Sequence, residues 1–180
     1  MTDHIIDCCS LINIFTGWGG LSELSTLDGT WHICEAVLNE VEYTREYDMF
    51  GKPVLMPLDI NPFKNNLLLP TTIHGEAEMG DYIDFASEMD DGEAQALAIA
   101  KHRGFILLSD DNKAVKVARR PEVAVKTIST VDILRAWAGK NPANEMRLPG
   151  VIKRITTLAR FSPKISSVDY PWWNGYLRDS

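Results

Sequence analysis

The sequence predicts an α/β protein in which a parallel β-sheet is sandwiched between α-helices. Three observations carry that expectation. Short apolar runs, HII at 4–6 and FILL at 105–108, read as strands buried on both faces. The alanine-rich stretch 92–102 has the composition of a helix, and Gly104 stands where a C-cap belongs. Strand-like and helix-like segments alternate along most of the chain, the pattern of a parallel sheet covered on both faces.

Taken in order, 4–6 is a short strand ending in the carboxylate Asp7, and LINIF opens a helix after it. TGWGG at 16–20 reads as an ordinary turn, since a lone glycine cluster is weak evidence for a phosphate loop. Residues 30–34 form a second strand, and 35–47 has apolar positions Ala36, Val37, Val41 and Tyr43 at helical spacing, with Glu40 inside that helix. From 48 to 80 four prolines interrupt the pattern, and only 54–56 and 67–69 suggest strands. After the strand FILL come a helix at 113–120, a short strand at 123–128 and a helix at 130–138. The expected division is a domain over 1–138 and a C-terminal extension over 139–180 with one helix at 151–161 and a Trp-rich tail, YPWWNGY. Adjacent tryptophans in such a tail are read first as packing onto the domain surface, and second as a surface for a partner or a homodimer.

Composition narrows the function classes. Hydrophobic residues are 45% and charged residues 24% of 180, the profile of a folded globular chain. The N-terminus does not read as a signal peptide and no segment reads as a transmembrane helix, so the expected location is the cytoplasm, away from any membrane. The three cysteines lack CxxC spacing and the four histidines lack HxH or HExxH spacing, which argues against zinc. A net charge of −7 argues against holding nucleic acid by bulk electrostatics. It leaves open an enzyme whose acids are neutralised by bound cations.

The acids themselves are the informative feature. In a parallel sheet, strand C-termini and the following helix N-termini share one edge, so Asp7, Glu93 and the pair Asp110/Asp111 can converge there. Glu93 alone would be explained by the helix dipole, and Asp90 by capping. Asp7 in an apolar strand-to-helix junction, with two aspartates directly after a buried strand, is less easily explained. Ionised carboxylates brought together repel, and burial adds to the cost. A hard divalent cation, Mg²⁺ or Mn²⁺, removes the conflict and points to phosphoryl chemistry.

Asp7 in IIDCCSLINIF, Glu40 in AVLNEVEY, Glu93 in DDGEAQALAIA and the acids of LLSDDNKAVKVA resemble the four acidic motifs of PIN-domain proteins, the fold of VapC-like toxin ribonucleases. The resemblance spans about residues 4–135. Glu93 stands where many members carry Asp, and the Thr-x-Asp of the last motif corresponds to Ser109 and Asp111, with Asp110 available for the same role. The family resemblance implies a PIN-like α/β/α fold and Mg²⁺- or Mn²⁺-dependent cleavage of RNA. It further implies that Asp7, Glu93 and Asp111 or Asp110 hold the catalytic cation, that Glu40 binds through water or assists a second ion, and that Ser109 hydrogen-bonds a carboxylate or the attacking water. An RNA substrate and an antitoxin protein are the partners it suggests. Two other readings stand beside it: a PIN-like module that binds proteins through its tail, and a receiver domain, ranked lowest because its acidic pair should follow the first strand.

Overall fold

The computed structural model describes residues 2–178. Five strands, β1 (Asp3–Ile6), β2 (Thr30–Cys34), β5 (Leu68–Thr71), β6 (Ile106–Leu108) and β7 (Thr127–Ile128), form one parallel sheet in the order β5-β2-β1-β6-β7. Ile5, Ile6, Ile33, Leu107 and Leu108 are wholly buried, as strands covered on both faces require. Helices flank the sheet. One group joins α1 (Cys8–Trp18), α6 (Thr130–Ala138) and α7 (Pro142–Arg154); the other places α4 (Asp91–Arg103) against β1, β2 and β6, with α2 (Glu35–Glu40), α3 (Gly75–Ala86) and α5 (Asn112–Ala118) around it. This is the α/β/α arrangement that the sequence indicates.

Several boundaries differ from those the sequence suggests. The helix expected over 35–47 stops at Glu40, because Val41 is extended and Tyr43–Tyr47 becomes β3, antiparallel to β4 (Pro53–Pro57). Apolar residues at 36, 37, 41 and 43 satisfy a helical period by coincidence, whereas YTREY is rich in residues that suit a strand. Gly51, at φ 74°, supplies the left-handed conformation in the hairpin turn. TGWGG is only partly a turn. Thr16 to Trp18 complete α1, and the turn begins at Gly19. A Cβ on Gly17 would lie 2.7 Å from Ile155 Cδ1, so this glycine permits close packing between helices. The strand expected over 123–128 shrinks to Thr127–Ile128, since Ala124 adopts φ 51° and its N–H closes a turn onto Arg120 O.

The C-terminal extension holds more helix than expected. Asn141 caps α7 by accepting from Asn144 N–H at 2.9 Å, so the helix starts well before 151 and carries Pro149 inside it. A π-helical turn, Ile155–Ala159, follows and is ended by Arg160 at φ 59°. The tail forms α8 (Tyr170–Arg178). Trp173 is fully buried against Phe161, edge to face at 5.6 Å, and its indole N–H donates to Thr156 Oγ1. Trp172 lies beneath the Arg135 guanidinium at 4.7 Å. The paired tryptophans therefore pack onto their own chain, and Leu148, Ile152, Ile155 and Trp173 join the same buried cluster as the sheet. Among the described residues no helix is long and apolar enough to cross a membrane.

Candidate active site

The parallel register aligns Ile6 with Leu108 and Leu108 with Ile128, and two hydrogen bonds extend it by a residue: Asp7 N–H to Leu108 O and Ser109 N–H to Ile128 O. Asp7, Ser109 and Ser129 therefore stand side by side at the C-terminal edge of the sheet.

Asp7 is the N-cap of α1. Its Oδ1 accepts from Ser10 N–H at 2.7 Å, an interaction that an aspartate in extended conformation commonly makes at a helix start. Its Oδ2 is buried and has no hydrogen bond among the described residues. Burial pushes the Asp7 carboxyl up to about 7, the Asp110 charge adds to that rise, and the Ser109 and Ser10 groups offset part of it. Glu93, half-buried in the first turn of α4, is also pushed up to about 7, by burial first and then by the charges of Asp111, Asp7 and Asp90. Asp7 thus lies within electrostatic reach of Asp110, and Glu93 within reach of both Asp111 and Asp7, so the acids that the sequence places on this edge meet there.

Asp110 and Asp111 divide the work. The Asp110 carboxylate is enclosed by donors: Oδ1 accepts from Thr130 N–H at 2.9 Å, and Oδ2 from Asn13 Nδ2 at 3.0 Å, from the Ser10 hydroxyl at 3.2 Å and from the Thr130 hydroxyl. Burial raises its pKa, and the Thr130, Asn13 and Ser10 hydrogen bonds oppose that rise. Asp111 caps α5 through Oδ1, which accepts from Lys113 and Ala114 N–H, while among the described residues no hydrogen bond reaches its Oδ2. Ser109 Oγ accepts from Asp111 N–H at 3.2 Å and its hydroxyl neighbours Asp7. Asp110 is accordingly the buried brace of the site, and Asp111 the member of the pair with an uncommitted oxygen.

Glu40 sits at the end of α2, where Oε1 accepts from Gly92 N–H at 2.9 Å. A Cβ at position 92 would lie 2.5 Å from Glu40 Oε2, so glycine lets this carboxylate approach the start of α4. Its charge bears on the Cys8 and Cys34 thiols, which burial pushes up to about 12 and so leaves unreactive.

Ser10, Asn13 and Thr130 do not stand out in the sequence. Being uncharged, they carry no motif of their own. Their one signal is spacing: Ser10 follows Asp7 by three residues, the reach of an N-cap, and Asn13 lies one turn further along the same face of α1. Their role gives a direct test. Asp110→Asn should lower the melting midpoint, because an amide set among Thr130 N–H, Asn13 and Ser10 must turn its NH₂ toward donors, at a cost of about 1–3 kcal/mol for each buried group left unpaired. Thermal melts of the metal-free protein would show the loss.

The acids fit a hard divalent cation by chemistry: every donor is an oxygen, their charges conflict without an ion, and Asp7 Oδ2 is a buried acceptor with no partner. Among the described residues, no three His, Cys, Asp or Glu side chains already stand around a common point as a formed metal site. Comparison with known families bears on the same residues. A family model described as a PIN domain matches residues 4–148, most of the chain. The chain belongs to the PIN-domain family. PIN domains are generally nucleases, and the matched region contains all of the acids described above. It also runs beyond 138 into α7. No curated protein and no solved structure matches the chain.

Proposed function

We propose that this PIN-domain protein is a Mg²⁺- or Mn²⁺-dependent endoribonuclease that hydrolyses phosphodiester bonds in RNA. The observation that carries the reading is the buried Oδ2 of Asp7, without a hydrogen bond among the described residues, on a carboxylate within reach of the Asp110 and Glu93 charges, with Asp111 in turn within reach of Glu93. Asp7, Glu93 and Asp111 would hold the ion, and Glu40 would act through water or on a second ion. When bound, the cation supplies a water of lowered pKa and stabilises charge on the scissile phosphate. The chain's own residues do the positioning. Asp110 ties Ser10 and Asn13 of α1 to Thr130 of α6, fixing the start of α6 against the helix that Asp7 caps. Ser109, buried beside Asp7, orients a carboxylate or the attacking water.

Purified protein incubated with single-stranded RNA should cleave it with Mn²⁺ or Mg²⁺ and lose that activity in excess EDTA. Undiminished cleavage under chelation would reject the mechanism. If the chain is the toxin of a toxin–antitoxin pair, its expression arrests growth and Asp7→Asn relieves the arrest at equal abundance.

The binding-module reading finds its support away from the tail. The β3–β4 hairpin exposes Met49 at 90%, Phe50 at 79% and Leu55 at 65%, an apolar surface suited to a protein partner or a second copy of the chain. A protein with no Mn²⁺-dependent nuclease activity, whose self-association is lost in Phe50→Asp with Leu55→Asp, would favour that reading.

A further inference from the structure

A cavity of about 510 Å³ borders the acidic edge at Asp110, with Ser109 and Asp110 on one wall and the segment 161–169 of the C-terminal extension on another. We propose that this cavity is a nucleotide subsite, in which the extension holds one unpaired nucleotide of the RNA strand next to the scissile phosphate. The inference rests on the nuclease reading and names where its substrate lies.

Four features support it. The cavity is within the size range of pockets that take small organic ligands, and a single nucleotide belongs to that class. Its wall combines apolar and planar groups with polar ones. Val115 and the Phe161 ring offer a surface on which a base can stack, and Asn112 and Ser162 offer hydrogen-bonding groups for its edge. Lys164 is exposed on the same wall and makes no ion pair among the described residues, leaving its ammonium for a phosphate. Asp169, also on the wall, is already paired with Arg135 at 2.7 Å, so its charge is compensated.

The chain is shaped to make this wall. Arg160 takes a left-handed conformation at φ 59°, uncommon for a residue with a side chain, and so turns the backbone out of the π-helical turn. Pro163 is buried, and Phe161 is held edge-on by the fully buried Trp173. The tail that packs onto the domain thereby fixes a segment that contributes side chains next to the catalytic edge.

The test uses the full chain and a labelled single-stranded RNA, with binding followed by fluorescence anisotropy in EDTA and cleavage followed in Mn²⁺. Lys164→Glu should raise both Kd and KM by about tenfold or more, and Lys164→Ala should shallow the dependence of log K on log salt by about 0.7, the contribution of one phosphate contact on a single strand. Ser162→Trp, at an exposed position on the rim, should weaken binding by filling the cavity. Lys52→Ala, in the hairpin turn, should leave Kd and KM unchanged. Cleavage with Lys164→Glu and Ser162→Trp binding as wild type would overturn the subsite and leave the nuclease reading standing. Wild-type binding that these variants weaken, without any Mn²⁺-dependent cleavage, would retain the cavity as an RNA site and reject the nuclease reading. No RNA binding by the wild type in either condition would overturn the subsite.

Discussion

Asp7→Asn is expected to raise the melting midpoint of the metal-free protein at pH 8 by about 5 °C, while lowering Mn²⁺-dependent cleavage on the order of a hundredfold or more. The Asp7 carboxyl is pushed from an ordinary value of 3.8 up to about 7 by burial. A raised pKa means that the folded chain holds the proton more tightly than the unfolded chain, so stability is fully present below about pH 4 and is lost as pH rises to about 7. Ionised Asp7 therefore costs roughly 4 kcal/mol above that range, part of which an uncharged, near-isosteric Asn recovers. Asn also keeps an oxygen for Ser10 N–H, the contact that caps α1. The gain should vanish at pH 4, where Asp7 is protonated in folded wild type. An equal gain at pH 4 and pH 8 would assign it to packing, and a loss at both would make Asp7 a structural residue. The neighbouring Asp110→Asn change should have the opposite sign although burial raises that carboxyl too, because there an amide NH₂ would face the Asn13, Ser10 and Thr130 donors.

The second large effect is on the pH dependence of cleavage. With limiting Mn²⁺, the rate should rise steeply through the range below about pH 7, because Asp7 and Glu93 must both lose protons before they can act as ligands. The two carboxyls repel each other, so they titrate as a coupled pair. Two protons lost together give up to about a hundredfold per pH unit, against tenfold for one. Glu93→Gln should flatten the rise to the single-proton slope as well as lowering the rate. Saturating Mn²⁺ should move the whole profile to lower pH, since the metal competes with protons for the same oxygens. A rate insensitive to pH between 5 and 8 at limiting metal would contradict the assignment.

Much of the fold and of the acidic edge is legible in the sequence, and for identifiable reasons. Strands buried on both faces leave uninterrupted apolar runs, so HII and FILL declare themselves, and a parallel sheet then places Asp7 and Asp110/Asp111 on one edge. Helix α6 is legible to the residue because Ser129 and Asp132 form a capping box. Helix α3 is not legible. Its sequence GEAEMGDYIDFA buries only Glu78 and Phe85, and it is held to α4 by polar pairs, Arg103 with Glu78 and Lys101 with Asp81, that leave no apolar stripe to read. The division of roles between Asp110 and Asp111 is equally hidden. It depends on Asn13 and Thr130, which lie about a hundred and about twenty residues away along the chain and meet Asp110 only in the folded protein. The cavity walled by 161–169 has no sequence signature either, since it arises where a left-handed Arg160 redirects the chain after α7.

Joint ligation of one divalent cation by Asp7, Glu93 and Asp111 has a calorimetric signature. Mn²⁺ is titrated into the metal-free protein at pH 7, in buffers of different ionisation enthalpy. With Asp7 and Glu93 each pushed up to about 7, each is close to half protonated at that pH, and binding should release about one proton in total. Asp7→Asn and Glu93→Gln should each weaken binding and reduce the proton release. Mn²⁺ that binds without releasing protons, and equally well to Asp7→Asn, would place the metal elsewhere and contradict the account.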